Sequence, residues 1–412
     1  MDGSIGTSTR AVGSAPTPSK GGVPRGMAEI FRPGRVLRPS TKGLPEDVRG
    51  HNRSLVLQTL YGSKRQSRAD IARTTRLTRV SVSDLVAELI EEGLVVEIGT
   101  REHSGPGKPA TLLDINRKGF QIIGIDLSGS LSFRGAVLDL DGEVLERAEV
   151  ALHGATGTEA KIRVAELTAH LLSLAQAPVL GVGIGSPGVV DATGVVLRAP
   201  NLGWRSEPLQ AELSARFNVP VIVGNDARAA VLAEHSFGGA AGDMMLIRVG
   251  QGVGSGLLLN GSLLFGSSFA AGEIGHTLVG TNGGAECACG KFGCLETWLA
   301  VPRLVERIAA AQVQNNERPS RDVAEPILRD AGRHLGIALA PVVAALNIAE
   351  IVLSGPEDLL AGPLAEATIE TIRARTMTEF HGNLHLRMTT LGADIVIRGA
   401  AVMVLSGQLG VS

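Results

Sequence analysis

The sequence has little cysteine and few aromatic side chains. Its 412 residues include 3 cysteines, and Phe, Trp and Tyr together make up 3%. So few cysteines exclude a small secreted fold held together by disulfides. No run of about 18 apolar residues is present, so no membrane-spanning helix is expected. The N-terminus lacks a basic segment followed by an apolar one, which favours a cytoplasmic protein.

Charge is distributed unevenly along the chain. Residues 1–113 contain 17 Lys and Arg against 11 Asp and Glu, whereas the remaining residues contain 22 against 30. A basic first part and an acidic body indicate that only the first part meets a polyanion. The hydrophobic fraction of 44% allows substantial cores, and 53 glycines indicate tight turns and close backbone approach to a ligand.

The length predicts two or three domains. Residues 1–47, rich in Gly, Pro, Ser and Thr, are expected to form a disordered tail. Residues 48–116 carry three segments with helical spacing and then two strand-like segments around a glycine-rich loop. This order is typical of a winged helix-turn-helix. The predicted helices are 52–61, 68–74 and 79–92, and the predicted strands are 94–98 and 111–115.

The third predicted helix is the candidate recognition helix. Such a helix places its N-terminal residues on base edges in the major groove, while nearby cations neutralise phosphates. The alternative for this segment is a small helical packing module with a solvated basic surface. The predicted DNA-binding residues are Arg68, Arg79, Ser81, Ser83, Arg101 and Lys108, the last two in the predicted wing.

Residues 117–412 alternate strand-like and helix-like segments, which predicts an α/β body. Its opening hairpins predict a mixed sheet. We expect a strand at 219–223, a helix at 227–235, and strands at 244–249 and 256–259 within the first lobe. A second series is predicted to begin near residue 348 and to end in a helix near 399–407. A cleft between two lobes is expected.

All three cysteines lie in one short segment, Cys287-Ala-Cys289-Gly-Lys-Phe-Gly-Cys294. Together with His276 upstream, they supply the four ligands of a tetrahedral structural zinc site. Four protein ligands leave no open position for catalysis, so the metal would organise the loop formed by residues 272–296. A redox pair and free core cysteines are the alternatives.

The sequences GEIGH and CACGKFGCLE resemble motifs of the ROK family, which comprises repressors, open reading frames and sugar kinases. With the preceding winged helix-turn-helix, the chain resembles the regulator branch of NagC/XylR type. The resemblance covers roughly residues 50–405. It implies a two-lobed actin-like ATPase (ribonuclease-H-like) fold with the sugar in the cleft, and a homodimer or tetramer.

The same resemblance implies a set of sugar-binding residues. Asn225 and Asp226 match the family's sugar-binding asparagine and catalytic aspartate, the latter acting only in a kinase. His276 would place one ring nitrogen on zinc and the other on a sugar hydroxyl. Carboxylates and amides suit a ring of hydroxyls. The alternatives are a helix cap for Asp226 and a salt bridge for Glu296. The implied sugar-binding set is Gly188, Asn225, Asp226, Glu273, His276 and Glu296.

The three motifs that would hold a nucleotide depart from the family's kinase pattern. Asp126, Gly129 and Ser130 belong to a turn in which serine replaces a glycine at position 128. The glycine loop around Gly252 and Gly254 has glutamine at 251 in place of threonine. The adenosine loop at Gly355 continues with proline and glutamate. ATP and Mg²⁺ are therefore not expected as cofactors.

These observations predict a transcriptional regulator, a repressor of carbohydrate genes that a sugar or sugar phosphate releases from operator DNA. The alternative is an active ATP-dependent sugar kinase carrying a DNA-binding module. A third interpretation is a structural DNA-binding protein that senses nothing.

Overall fold

The computed structural model describes residues 45–63, 65–101, 109–240, 242–280, 284–315, 321–377 and 384–410. Most of the predicted tail lies outside these residues. The first helix begins at Pro45, so the tail was predicted to extend slightly too far. Proline is favoured at the first turn of a helix because its φ is already helical and its missing N–H is not needed there.

The N-terminal module contains the three predicted helices and the predicted antiparallel hairpin, but its first helix starts seven residues earlier than predicted and an unpredicted short strand, β1, precedes the second helix. Ser67 caps the second helix in a capping box with Asp70, and Thr78 caps the third by accepting from the Ser81 N–H. Its elements are α1 (Pro45–Gly62), β1 (Gln66–Ser67), α2 (Arg68–Thr75), α3 (Arg79–Glu91), β2 (Val95–Thr100) and β3 (Thr111–Ile115). The sheet order is β1-β3-β2.

The first lobe is built on a mixed five-stranded sheet of order β11-β7-β4-β5-β6. The strands β7 and β11 run parallel to β4, while β5 and β6 form antiparallel hairpins, as the sequence predicts. Its elements are β4 (Gln121–Asp126), β5 (Ser132–Leu138), β6 (Val144–Ala151), α4 (Gly157–Leu174), β7 (Val179–Ser186), β8 (Val189–Val190), β9 (Val196–Ala199), β10 (Trp204–Glu207), α5 (Leu209–Phe217), β11 (Val221–Asn225) and α6 (Asp226–Phe237).

The second lobe has its own five-stranded sheet, of order β14-β13-β12-β15-β16. Its elements are β12 (Met244–Val249), β13 (Val253–Leu259), β14 (Ser262–Leu263), α7 (Leu295–Leu299), α8 (Val301–Asn315), α9 (Arg321–Leu346), β15 (Glu350–Ser354), α10 (Glu357–Leu360), α11 (Pro363–Arg375) and β16 (His385–Met388). The strands β12 and β13 were expected in the first lobe. That expectation is wrong because β15 pairs in parallel with β12, a pairing between segments about 100 residues apart that local pattern does not reveal.

The last helix, α12 (Ile395–Leu409), packs against the first lobe and α6. Glycines allow this close approach: a Cβ on Gly183 would lie 1.9 Å from the Ala400 carbonyl oxygen, and one on Gly399 would lie 1.8 Å from that of Ala229. Among the described residues, one stretch, Gly392–Leu409, is long and apolar enough to span a membrane. Since 61% of it is buried within the protein, it is a core helix.

The N-terminal module and the first lobe share one hydrophobic core. Val56 and Leu60 of α1 belong to the same buried cluster as Leu138 and Leu140 of the lobe and Leu409 of α12. The Tyr61 hydroxyl also donates to the Leu140 carbonyl oxygen. The module is therefore packed onto the first lobe.

Candidate functional site

A cavity of about 520 Å³ lies between the two lobes. Loops at the carboxyl ends of β4, β7 and β11 line it from the first lobe, and loops following β12 and β13 line it from the second. All six of the implied sugar-binding residues line this cavity, as do two of the cysteines. The lining includes Ser128, Gly188, Arg198, Asn225, Asp226, Arg248, Glu273, His276, Cys287, Cys289, Glu296 and Arg303.

Asn225 ends β11 and caps α6. Its Oδ1 accepts the Arg228 N–H at 2.9 Å, and its Nδ2 donates to the Gly188 carbonyl oxygen at 2.9 Å. Gly188 has φ +82°, and a Cβ there would lie 2.0 Å from the Arg198 carbonyl oxygen. Glycine is thus required at position 188 for both its conformation and its close packing. Asn225, and not Asp226, is the cap of this helix.

Asp226 is buried and almost fully hydrogen bonded. Its Oδ1 accepts from the Ala227 N–H at 2.9 Å and from Asn225 Nδ2 at 3.1 Å. Its Oδ2 lies 2.9 Å from Arg248 Nη1. Burial raises the pKa of Asp226 above its ordinary value, nearby Arg248 opposes that rise, and Asp126 adds to it. The carboxyl is therefore held by a cation that comes from the other lobe.

Glu273 and Glu296 face the cavity from the second lobe. Burial raises the pKa of Glu273, and the neighbouring His276 opposes that rise. Glu296 Oε2 accepts the Val253 N–H at 3.1 Å, which ties α7 to the glycine loop between β12 and β13. The glutamates therefore add two acidic groups to the cavity that Asp226 also lines, an arrangement suited to hydrogen-bond donors such as sugar hydroxyls.

The three cysteines and His276 come together as predicted. Their ligand atoms all lie within 4.8 Å of one another. His276 Nδ1 is 3.5 Å from Cys287 Sγ, and Cys289 Sγ is 3.6 Å from Cys294 Sγ. A tetrahedral zinc ion would separate sulfur from nitrogen by about 3.6 Å and two sulfurs by about 3.8 Å. The donor set and its spacing fit zinc.

The cluster is partly shielded from solvent. Cys287 and Cys294 are buried, whereas Cys289 is exposed. Burial raises the pKa of the Cys294 thiol to about 12, so a metal ion must displace that proton on binding. Because Nδ1 of His276 points at the cysteines, Nε2 is the ring nitrogen left for a ligand in the cavity.

The predicted DNA-binding residues are divided between free and paired side chains. Arg79 and Ser83 are exposed on the first turns of α3. Arg68 lies 3.2 Å from Glu97, and Arg101 lies 2.7 Å from Asp70. Ser81 is half-buried, with its hydroxyl on Thr78. Lys108 lies outside the described residues.

The predicted nucleotide loops lie beside the cavity. Asp126 has a side chain that is 1% exposed, accepts the Ser128 N–H at 2.9 Å and pairs with Arg134 at 3.1 Å. Gly129 approaches the Ser132 carbonyl oxygen, and Ser130 is exposed. In the second lobe, Gly252 lies next to Glu296 and Gly254 next to Ala227. Gly355 has φ +156° and approaches the Val249 carbonyl oxygen.

Sequence reasoning missed Arg248. It lies on β12 within the otherwise apolar run Met-Met-Leu-Ile-Arg-Val, two residues before the glycine loop. An arginine in a buried strand is costly unless it is paired, and that was the available signal. Its partners come from two distant loops of the other lobe, which the sequence does not indicate.

The chain resembles known proteins over most of its length. It matches the ROK family over residues 122–406. A xylose repressor from Caldicellulosiruptor bescii is 30% identical over 392 residues, which cover 87% of this chain and 96% of the repressor. A glucokinase from Halalkalibacterium halodurans is 31% identical over 312 residues, covering 68% of this chain and 94% of the kinase.

Among solved structures, a ROK family transcriptional regulator, described as a homolog of the E. coli MLC protein, is similar to this chain with a TM-score of 0.78. It is 26% identical, and the match covers 88% of this chain and 97% of that one. The matches to the two regulators cover more residues than the body, 117–412, contains. They therefore include part of the N-terminal module.

Proposed function

Because this chain belongs to the ROK family, we propose that it is a sugar-responsive, DNA-binding transcriptional repressor of carbohydrate metabolism. The main supporting observation is that the three-helix module shares its hydrophobic core with the lobe that contributes Asn225 and Asp226 to the cavity. A ligand in the cleft can therefore act on the module through packed contacts. The proposed site of action is the cytoplasm, where operator DNA is found.

Operator DNA is bound by α3. Its first turns present Arg79 and Ser83 to solvent, the position from which a recognition helix contacts base edges in the major groove. Arg68 and Arg101 lie beside it and can exchange their carboxylate partners for phosphates. A homodimer or tetramer would present two such helices to two half-sites about one helical turn apart.

The sugar binds between the lobes. Asn225 and Asp226 contact it from the first lobe, and Glu273, His276 and Glu296 contact it from the second. Zinc, held by His276 and the three cysteines, fixes the loop that carries the second set. Sugar favours the closed arrangement of the lobes because only that arrangement lets both sets bind it at once.

Closure moves the first lobe and its attached module relative to the second lobe. In a dimer this changes the separation of the two α3 helices, so both half-sites are no longer engaged together. The coupling requires that the sugar bind the closed arrangement more tightly than the open one.

The alternative function is an ATP-dependent sugar kinase with a DNA-binding module, and the similarity to a glucokinase favours it. Asp226 would be the base that accepts the hydroxyl proton. Asp226→Asn should then abolish sugar-dependent ATP consumption. A repressor consumes no ATP with any monosaccharide, so an ATPase assay over a sugar panel separates the two functions.

The testing experiment measures operator affinity with and without sugar. Operator fragments are selected from genomic DNA with the purified full-length protein, and affinity is followed by fluorescence anisotropy. An effective sugar should weaken DNA binding at least about tenfold, within the usual range of allosteric coupling. Glu273→Gln is the matched variant: it should bind DNA as the wild type does and respond only at higher sugar concentration. A sugar that binds but leaves operator affinity unchanged contradicts the proposal.

A further inference from the structure

Arg248 crosses the cleft at its floor. Its Nη1 lies 2.9 Å from Asp226 Oδ2, and its Nη2 donates to Ser128 Oγ at 2.5 Å. Nη2 also lies 3.9 Å from Asp126 Oδ2. Arg248 belongs to β12 of the second lobe, whereas all three partners belong to the first lobe. One guanidinium thus joins the lobes through two buried carboxyls and a hydroxyl.

This position is the one that a phosphoryl group would need. Phosphoryl transfer, and equally the binding of a phosphate ester made by it, requires open space between the base and the phosphate loops. By the resemblance to ROK kinases, Asp226 matches the base, and the turn from Asp126 to Ser130 matches a phosphate loop. The guanidinium of Arg248 lies between them and hydrogen bonds to both sides.

The positive charge of Arg248 is not available to bind an anion. Arg248 shares its single positive charge between two buried carboxyls. Among the described residues, Arg134 adds a cation on the far side of Asp126, and buried Arg228 interacts with both Asp226 and Glu273. A phosphate dianion placed at this end of the cleft would face Asp126 and Asp226 at close range. Like charges juxtaposed in a buried site cost several kcal/mol.

Asp226 also favours a ligand group that donates a hydrogen bond. Three of the roughly four acceptor positions of a carboxylate are already used by Ala227, Asn225 and Arg248. The remaining position needs an O–H or N–H group. A sugar hydroxyl supplies one, whereas a phosphate ester of that hydroxyl has no hydrogen to donate.

Two other arginines line the outer part of the cavity and could attract a phosphate. Arg198 is exposed, and Arg303 has a side chain that is 45% exposed and pairs with Glu306 at 3.4 Å. Cations exposed to solvent are screened and bind anions weakly. They do not offset the acidic groups at the floor of the cleft.

We infer that Arg248 closes the end of the cleft between Asp126 and Asp226, where a phosphoryl group would lie, so that the effector is a neutral, unphosphorylated sugar. This inference rests on the proposed function. Arg248 is then a specificity-determining residue. It allows the pocket to bind a sugar hydroxyl and excludes the phosphorylated form of the same sugar.

The test uses matched pairs of ligands on the wild-type, full-length protein. Glucose, mannose and N-acetylglucosamine are each titrated beside their 6-phosphates by isothermal calorimetry, with xylose added as a further neutral sugar. The neutral member of the effective pair should bind at least about 100-fold more tightly than its phosphate. A sugar phosphate that binds as tightly as its parent sugar, or more tightly, overturns the inference and leaves the proposed function standing. Failure of every neutral and phosphorylated sugar to bind overturns both.

Variants test whether Arg248 causes the preference for the unphosphorylated sugar. Arg248→Ser opens the space between the two carboxyls and removes the cation that they share. Mg²⁺ can then bridge them to a phosphate, so binding of the 6-phosphate in the presence of Mg²⁺ should strengthen at least about tenfold. Arg134→Met is the control, because it removes a cation from the same Asp126 without opening the space between Asp126 and Asp226. Arg248→Ala, which opens the same space without adding a hydroxyl, serves if the serine variant is unstable. Unchanged selectivity in folded Arg248 variants, or an equal gain in Arg134→Met, overturns the assignment.

Discussion

Gln58, in the first helix, donates through Nε2 to the carbonyl oxygen of Gly410, which follows the last helix, at 2.5 Å. The two residues are 352 positions apart. Around this bond, α12 inserts Leu409 into the core shared by the module and the first lobe. Because α12 also packs on α6, which begins at Asp226, one helix links the N-terminal module to the helix that starts at the cleft.

Leu409→Ala tests the packing of α12 against α1. Leu409 is 3% exposed, so the substitution should lower the free energy of unfolding by about 2–5 kcal/mol. Amide hydrogen exchange should accelerate in α1 and α12 together, because the two helices share one core. Leu131→Ala is the control: Leu131 is 82% exposed, and the change should cost less than about 0.5 kcal/mol. Faster exchange in α12 with α1 unaffected would show that the module is held independently.

Cys294→Ser tests the metal centre. The wild type should contain one zinc per chain by mass spectrometry of metals, and the variant should contain almost none. Loss of the metal should also weaken sugar binding, because in the proposed mechanism zinc fixes the loop that carries His276 and Glu296. All three cysteines belong to the cluster, so the control is wild-type protein stripped by a chelator and reloaded with zinc. A disulfide in the purified protein would favour the redox alternative.

Arg79→Ala and Arg68→Ala should differ in their effect on operator binding. Arg79 is exposed at the start of α3, and its loss should cost about 1–3 kcal/mol, which is a loss of about fivefold to 150-fold in affinity. Arg68 must leave Glu97 to reach a phosphate, so its loss should cost less. Anisotropy titrations at several salt concentrations measure both the affinity and the salt slope. An equal loss for the two variants would contradict the assignment of α3 as the base-contacting helix.

Asp70 should stabilise the module in a pH-dependent way. The hydrogen bond from the Ser67 side chain is the main reason that the pKa of Asp70 falls to about 2. A lowered carboxyl pKa means that folding favours the ionised form, so the stabilisation is complete above the unfolded value of 3.8 and disappears as the pH falls towards 2. Asp70→Asn should therefore cost about 1 kcal/mol at pH 7, typical of a lost cap.

Urea unfolding at pH 7, 5, 4 and 3 measures this dependence. The difference between wild type and Asp70→Asn should shrink below pH 4. Asp84→Asn, on the exposed face of α3, is the matched control and should change stability little across the series. A constant difference at every pH would mean that the ionised carboxylate is not what stabilises the cap.

Local signals in the sequence were sufficient for several features. Ser67 and Thr78 marked the starts of α2 and α3 because a capping side chain acts on N–H groups only three residues away. The cysteine cluster was also visible, since Cys287, Cys289 and Cys294 lie on one short loop. The family motifs added the set of predicted sugar-binding residues, and the structure brings those residues to one cavity.

Only the tertiary structure shows which lobe contains each strand and which residues Asp226 contacts. The strand β12 joins the second sheet because it pairs with β15, and the energy of that pairing comes from hydrogen bonds between distant segments. Arg248 meets Asp226 and Ser128 only when the lobes face each other. The sequence by itself determined the residue types, the local caps and the members of the cysteine–histidine cluster. The partners of a buried charge depend on long-range packing, and only the folded chain sets them.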